Sequence, residues 1–157
     1  MVDRVAKEGL AYQSSAAGNI VFVNRERDYC ELRGTYTFAA RPFHGCLKRS
    51  PDRFWYVMPQ NGKPETAYIT EAAIDAISLM VLHREKNHGK NSVYISIGGV
   101  SNNAAINRIK KRMHAVLAVD NDRAGDECRR KHGDLEHILP THKDWNEDLK
   151  ALKYSVS

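Results

Sequence analysis

The chain has 157 residues, 24 of them Lys or Arg and 19 Asp or Glu, for a formal net charge of +5 and a pI near 9.2. At 42% hydrophobic and 27% charged it has the composition of one globular domain, or of two small ones sharing a core, which excludes disordered, collagenous and coiled-coil chains. No apolar run approaches the roughly 18 residues of a membrane span, the N-terminus lacks a signal-peptide core, and three scattered cysteines without a CxxC pair make neither a disulfide framework nor a cysteine zinc site, so a cytoplasmic, reduced protein with no membrane partner is expected.

Val2, Val5, Ala6 and Leu10 recur at near-helical spacing and Gly9 marks an end, which predicts a short amphipathic helix over 1–12. A serine- and alanine-rich loop with Gly18 leads into two strands, 20–23 and 30–38, joined through the polar residues 24–28 as a hairpin. Residues 41–53 read as irregular and basic, and 54–57 as a further strand. Pro59, Asn61-Gly62 and Pro64 mark a turn, and the expected division of the chain is 1–64 and 65–157.

Beyond that turn the rhythm changes. A short apolar strand over 67–70 precedes a helix over 71–84, whose Ala72, Ile74, Ala76, Ile77, Leu79, Met80 and Leu82 give a broad apolar face. A strand over 93–97 closes on Gly98-Gly99, a helix follows over 103–112, and 115–119 is a near-continuous apolar strand. A helix over 124–132, a short strand over 135–139 ended by Pro140, and a helix over 146–152 complete the chain. Strand alternating with helix, around a central strand apolar on both faces, predicts an α/β fold. The expected architecture is a Rossmann-like parallel sheet with helices on both faces, preceded by a small α+β region.

Ligands of an open parallel sheet gather at the carboxyl ends of its strands. Here those ends carry acids: the strand over 67–70 runs into Glu71, and the strand over 115–119 runs into Asp120-Asn121-Asp122. Residues two apart in an extended segment point the same way, so Asp120 and Asp122 can address one site. Clustered carboxylates repel unless a cation lies between them, and hard oxygen donors without sulfur suit Mg2+ or Mn2+. Most of these acids, and others nearby, also have a structural use. Glu71 and Asp75 suit the first turn of a helix, Asp122 or Asp126 can cap the helix over 124–132, and Asp144 can cap the last one.

The segment Tyr68-Ile69-Thr70-Glu71-Ala72-Ala73-Ile74-Asp75-Ala76-Ile77-Ser78-Leu79 resembles the first motif of the Toprim domain, which is shared by bacterial DnaG-type primases, topoisomerases and some nucleases. Asp120-Asn121-Asp122-Arg123-Ala124-Gly125 resembles its second motif, and Ser96-Ile97-Gly98-Gly99-Val100-Ser101 falls where the family has a small-residue turn. The resemblance covers roughly residues 66–150. Primase-like members usually have Gly after the motif Glu, where this chain has Ala72. Upstream, 19–23, 31–35 and 54–57 resemble an uncharacterised domain (DUF3991) that precedes Toprim in proteins of bacterial plasmids and integrative elements. Residues 143–149 are similar to the closing segment of that group, some members of which carry a zinc ribbon that this chain lacks, as a fragment of a longer protein would.

The resemblance implies a Mg2+-dependent nucleic-acid phosphotransfer domain, most like a DNA primase of a mobile element, that acts in DNA replication. It implies Glu71 as general acid or base, and Asp120 and Asp122 as metal ligands, with Glu71, Asp75 and Asp144 able to support the metal. Candidate nucleic-acid contacts are Arg33, Arg123, Lys143, Lys110 and Lys111, although basic runs such as 108–112 are more often solvated faces. The implied partner is DNA or RNA, single-stranded, together with other replication proteins or further domains. Two other functions stay open: Toprim nuclease or topoisomerase-like strand cleavage, and a non-enzymatic nucleic-acid-binding module.

Overall fold

The computed structural model describes residues 2–16, 18–36, 43–60, 62–86 and 88–154. In chain order these form α1 (Val2–Lys7), β1 (Ala11–Gln13), β2 (Ile20–Val23), β3 (Tyr29–Arg33), β4 (His44–Lys48) and β5 (Trp55–Val57). There follow β6 (Thr66–Thr70), α2 (Ala73–Glu85), β7 (Ser92–Ser96), α3 (Asn103–Lys110), β8 (His114–Leu117), α4 (Arg123–Lys131), β9 (Glu136–His137) and α5 (Trp145–Tyr154). Strands β1 to β4 make an antiparallel meander in sequential order. The second sheet has the order β5-β7-β6-β8-β9, in which β6, β7, β8 and β9 run parallel and β5 closes one edge antiparallel to β7.

The period-two alternation of the central strands decides which helix packs where. Ala67, Ile69, Val93, Ile95, Ala115 and Leu117 face Ala105, Ile106 and Ile109 of α3 and Cys128 of α4. On the other face Tyr94 and Ala118 pack with Leu79 and Met80 of α2 and Trp145 of α5. The parallel sheet is thus covered on both sides, as its apolar strands require. Ile69, Leu79, Ile106 and Leu117 are fully buried, each stabilising the fold by about 1.5–3 kcal/mol relative to exposure. The two sheets share one core, where Phe22 of β2 meets Trp55 edge-on with ring centroids 5.6 Å apart.

Three expectations change. The first helix stops at Lys7 because Gly9 takes a left-handed φ of +66°, and Ala11–Gln13 instead pairs with β2. Inside the stretch expected to be irregular, His44–Lys48 is a strand hydrogen-bonded to β3. Trp55–Val57, upstream of residue 65 in the chain, is an edge of the second sheet. Thr37 and Phe38 of the second expected strand, Arg41 and Pro42 of the basic stretch, and Asn61 of the turn lie outside the described residues.

Candidate functional site

The carboxyl ends of β6 and β8 lie side by side, since these strands pair in parallel register from Thr66↔His114 to Ile69↔Leu117. Glu71 leaves β6 there. Its carbonyl accepts the Gly99 N–H at 3.0 Å and lies 3.2 Å from the Ser96 hydroxyl, so the turn after β7 fixes its backbone. Ala72 then caps α2 in ordinary extended backbone, φ −128° and ψ 157°, which an alanine adopts as readily as the glycine of primase-like members.

Asp120 follows β8. Its carbonyl accepts from the Arg129 guanidinium at 3.0 Å, and that guanidinium, buried in α4, also reaches the Val119 carbonyl at 3.3 Å and Asp126 at 2.7 Å. Asp122 is the N-cap of α4: its Oδ1 accepts the Gly125 N–H at 2.9 Å. The Asn121 N–H donates to the Lys143 carbonyl at 2.8 Å, and the Trp145 indole donates to the Ala118 carbonyl at 2.6 Å. These bonds bring residues 143–145 to the end of β8. Asp144 Oδ1 accepts the Glu147 N–H at 2.8 Å and so caps α5, while Asp75, buried in the first turn of α2, accepts the Asn146 N–H. The capping uses of Asp122 and Asp144 are thus present, and the same two residues stand in the acid cluster.

The electrostatics bind the five acids into one group. Burial pushes the Asp120 carboxyl up to about 8, with Asp75, Glu71, Asp144 and Asp122 adding to the rise. Burial likewise raises Asp75 to about 7, Asp144 next, against the opposing Asn146 N–H and Arg33. Glu71 is raised by burial and then by Asp122, while Arg33 and Lys143 pull it down. Glu71 Oε2 and Asp120 Oδ1 are buried with no hydrogen-bond partner. Two orphaned carboxylate oxygens, in an all-oxygen set of mutually repelling acids, fit a hard divalent cation in charge and donor chemistry. Among the described residues no three His, Cys, Asp or Glu side chains stand at the spacing of a formed metal site.

The basic candidates divide. Arg33, in contact with the His44 ring, lines a cleft of about 250 Å3 with Glu31, Glu71, Gly98 and Gly99. Lys143 is within electrostatic reach of Glu71. Arg123 is 94% exposed and pairs with Glu127 at 3.2 Å. Lys110 ends α3 and Lys111 is its C-cap, just before the amino end of β8, so both stand at the far end of the strands from Glu71 and Asp120; Lys110 is paired with Asp134 at 3.1 Å. Two larger hollows, of about 430 and 730 Å3, are lined by none of the five carboxylates.

Glu31 and Arg129 are absent from the candidate site residues above, and Gly125 stands there only as the end of the second motif. A Cβ at Gly125 would stand 2.0 Å from the Asp120 carbonyl oxygen, so only glycine lets α4 start this close to the loop. Its place three residues beyond Asp122 was a readable signal. Glu31 offered none, because its partners Ala73 and Ser96 lie far along the chain, and Arg129 stands beside Arg130 and Lys131 with nothing to set it apart.

Residues 68–149, just over half of the chain, match the model of the family described as Toprim-like. No curated protein matches the chain. Among solved structures, it is similar to a chain in a bacteriophage T7 assembly of lagging-strand DNA polymerase with primase domains of two gp4 subunits bound to an RNA/DNA hybrid and dTTP. The match spans 98% of this chain and 83% of that one, with a TM-score of 0.58 and 16% identity, which is a likeness of fold.

Proposed function

This chain belongs to the Toprim-like family, and on that premise we propose that it is a Mg2+- or Mn2+-dependent phosphoryl-transfer domain acting on nucleic acid, most like a DNA primase. One observation carries the reading: the buried, unpartnered oxygens Glu71 Oε2 and Asp120 Oδ1, at the carboxyl ends of adjacent parallel strands, in a group of acids that raise one another's pKa. Such an arrangement is costly to keep without a cation or a proton to share.

Asp120, Asp122 and Glu71 would hold the metal. When bound it would relieve the repulsion among the acids and offset charge developing on phosphoryl oxygens. Asp122 keeps Oδ2 for this, since Oδ1 serves the cap. Asp75 and Asp144 add negative potential behind the ligands. Glu71, whose carboxyl burial raises above the ordinary range, is suited to accept a proton from an attacking hydroxyl. Arg33 and Lys143, which oppose that lift, are placed to meet phosphate oxygens, with Arg123 on the exposed flank. Lys110 and Lys111 would touch only nucleic acid that wraps to the far end of the strands. A single strand of DNA or RNA entering by the Arg33 cleft is the proposed partner; the RNA/DNA hybrid in the T7 assembly supports nucleic acid as the broad class. Residues 1–64 are proposed to be the DUF3991-like region of a plasmid or integrative-element protein that works in replication with further domains or proteins, on the motifs at 19–23, 31–35 and 54–57.

The test runs primer synthesis and DNA nicking side by side with Mn2+, for the wild type and for Asp120→Asn/Asp122→Asn. Primer synthesis lost in the variant supports the primase reading. Nicking lost in the variant moves the chain to the strand-cleaving class. Activity equal in both proteins overturns the metal-dependent reading.

A further inference from the structure

Glu31 stands on β3 of the first sheet, yet its carboxylate serves the second. It is 3% exposed. Its Oε2 accepts the N–H of Ala73, the first residue of α2, at 2.9 Å. Its Oε1 accepts the Tyr29 hydroxyl at 2.8 Å and the Ser96 hydroxyl. The Ser96 oxygen in turn lies 3.2 Å from the Glu71 carbonyl. Tyr29 reaches this place because Gly98 has no side chain: a Cβ there would stand 2.2 Å from the tyrosine oxygen.

Cohesion between the sheets does not need such a group. Phe22 against Trp55 already joins them with apolar surface. A buried carboxylate among neutral donors is a costly substitute for a hydrocarbon, and its value lies in direction. Here two of the three bonds go to groups that hold the Glu71 segment: the Ala73 N–H two residues after it, and the Ser96 hydroxyl beside its carbonyl. We propose that Glu31 is a positioning residue for Glu71: by clamping the Ala73 N–H and the Ser96 hydroxyl it sets the entry of α2, so that Glu71 faces Asp120. The first sheet is then part of the reactive centre and not a neighbour of it. The inference rests on the phosphoryl-transfer reading and adds to it a residue outside the matched segment, 68–149.

Two variants of the full chain separate positioning from mere support. Glu31→Gln keeps the shape, accepting from Ala73 through its oxygen and donating to Tyr29 and Ser96 through its amide. Glu31→Ala removes all three bonds. The readouts are Mn2+ affinity by calorimetry, thermal unfolding, and kcat and KM of whichever reaction, primer synthesis or nicking, the wild type performs. The expected result for Glu31→Ala is a kcat lower by about tenfold or more, with KM within about twofold and Mn2+ binding weakened. Glu31→Gln should recover most of both. Wild-type kcat and Mn2+ affinity in folded Glu31→Ala, or a Glu31→Gln as damaged as the alanine variant, overturns the proposal. Should Glu31→Ala fail to fold, Ser96→Ala leaves Glu31 its bonds to Ala73 and Tyr29 and removes the branch through Ser96 to the Glu71 carbonyl and the Gly98 N–H; a lowered kcat supports the clamp and an unchanged kcat overturns it. Should the wild type perform neither reaction, the phosphoryl-transfer reading falls by itself, and Mn2+ affinity decides on the clamp: weakened in Ser96→Ala it stands, unchanged it falls.

Discussion

Gly125→Ala is a change of one methyl group at the junction of fold and site. The new Cβ would stand 2.0 Å from the Asp120 carbonyl oxygen, 3.1 Å from its carbon and 3.2 Å from Arg129 Nη1. Ordinary contact requires the first turn of α4 and the Asp120–Asp122 loop to part by more than about 1 Å. The bonds that would stretch are the Asp122 cap on the Gly125 N–H, 2.9 Å, and the Arg129 grip on the Asp120 carbonyl, 3.0 Å. Overpacking of this kind costs about 1–3 kcal/mol and a lost N-cap about 1 kcal/mol. Against this, Ala in a helix is better than Gly by about 1 kcal/mol. The net loss is about 1–3 kcal/mol, a fall in Tm of roughly 3–10 °C for a chain of this size. Because the loop that moves carries two of the proposed metal ligands, Mn2+ affinity should fall by about tenfold or more. Thermal unfolding and calorimetry read the two effects. An alanine variant with equal or higher Tm and unchanged Mn2+ affinity would refute the close approach and its role.

Other expectations concern pH, charge and packing. Asp120 and Asp75 are raised from the ordinary 3.8 to about 8 and about 7, so between pH 4 and 8 the folded chain holds protons that the unfolded chain has released. Their contribution is full below pH 4 and is lost as pH rises through 8. Without metal the Tm should therefore fall from pH 5 to 8.5, more steeply than in Asp120→Asn, and Mg2+ should restore it at pH 8 but not at pH 5; a wild-type slope equal to that of the variant contradicts this. Arg33→Ala should weaken binding of single-stranded DNA and lower the salt slope by about one, while Lys111→Ala leaves both unchanged in fluorescence anisotropy. Equal losses would move the nucleic acid to the far end of the strands. Trp145→Phe removes the indole N–H, now 2.6 Å from the Ala118 carbonyl, together with the five-membered ring of a buried side chain; a loss of about 1–3 kcal/mol or more should appear on thermal unfolding, and no loss would contradict the bond.

The α/β core was legible because its signals are local. Strand β8 is apolar on both faces, β6 and β7 carry short apolar runs, helices α2, α3 and α4 carry their own period, and acids follow β6 and β8. Elements set by remote pairing were not. The side chains of β4 are mostly exposed, so no alternation marks it, and its identity comes from backbone bonds to β3. Strand β5 has three residues and joins its sheet through β7, some 35–40 residues later in the chain. Glu31 stands in an expected strand with no mark of burial, and its partners, the N-terminus of α2 and Ser96 at the end of β7, lie far along the chain. Lys110 and Lys111 read as a partner surface because a sequence does not show that Asp134 meets one of them.

The acids at the ends of β6 and β8 are proposed to hold a divalent cation. The most direct test is Mn2+ titration calorimetry of the wild type and of Asp120→Asn/Asp122→Asn at pH 7, repeated in buffers of different ionisation heat. Wild-type binding with release of protons, since Asp120 and Asp75 are partly protonated at that pH, and none in the double variant, is the predicted result. Equal affinity in the two proteins would contradict it.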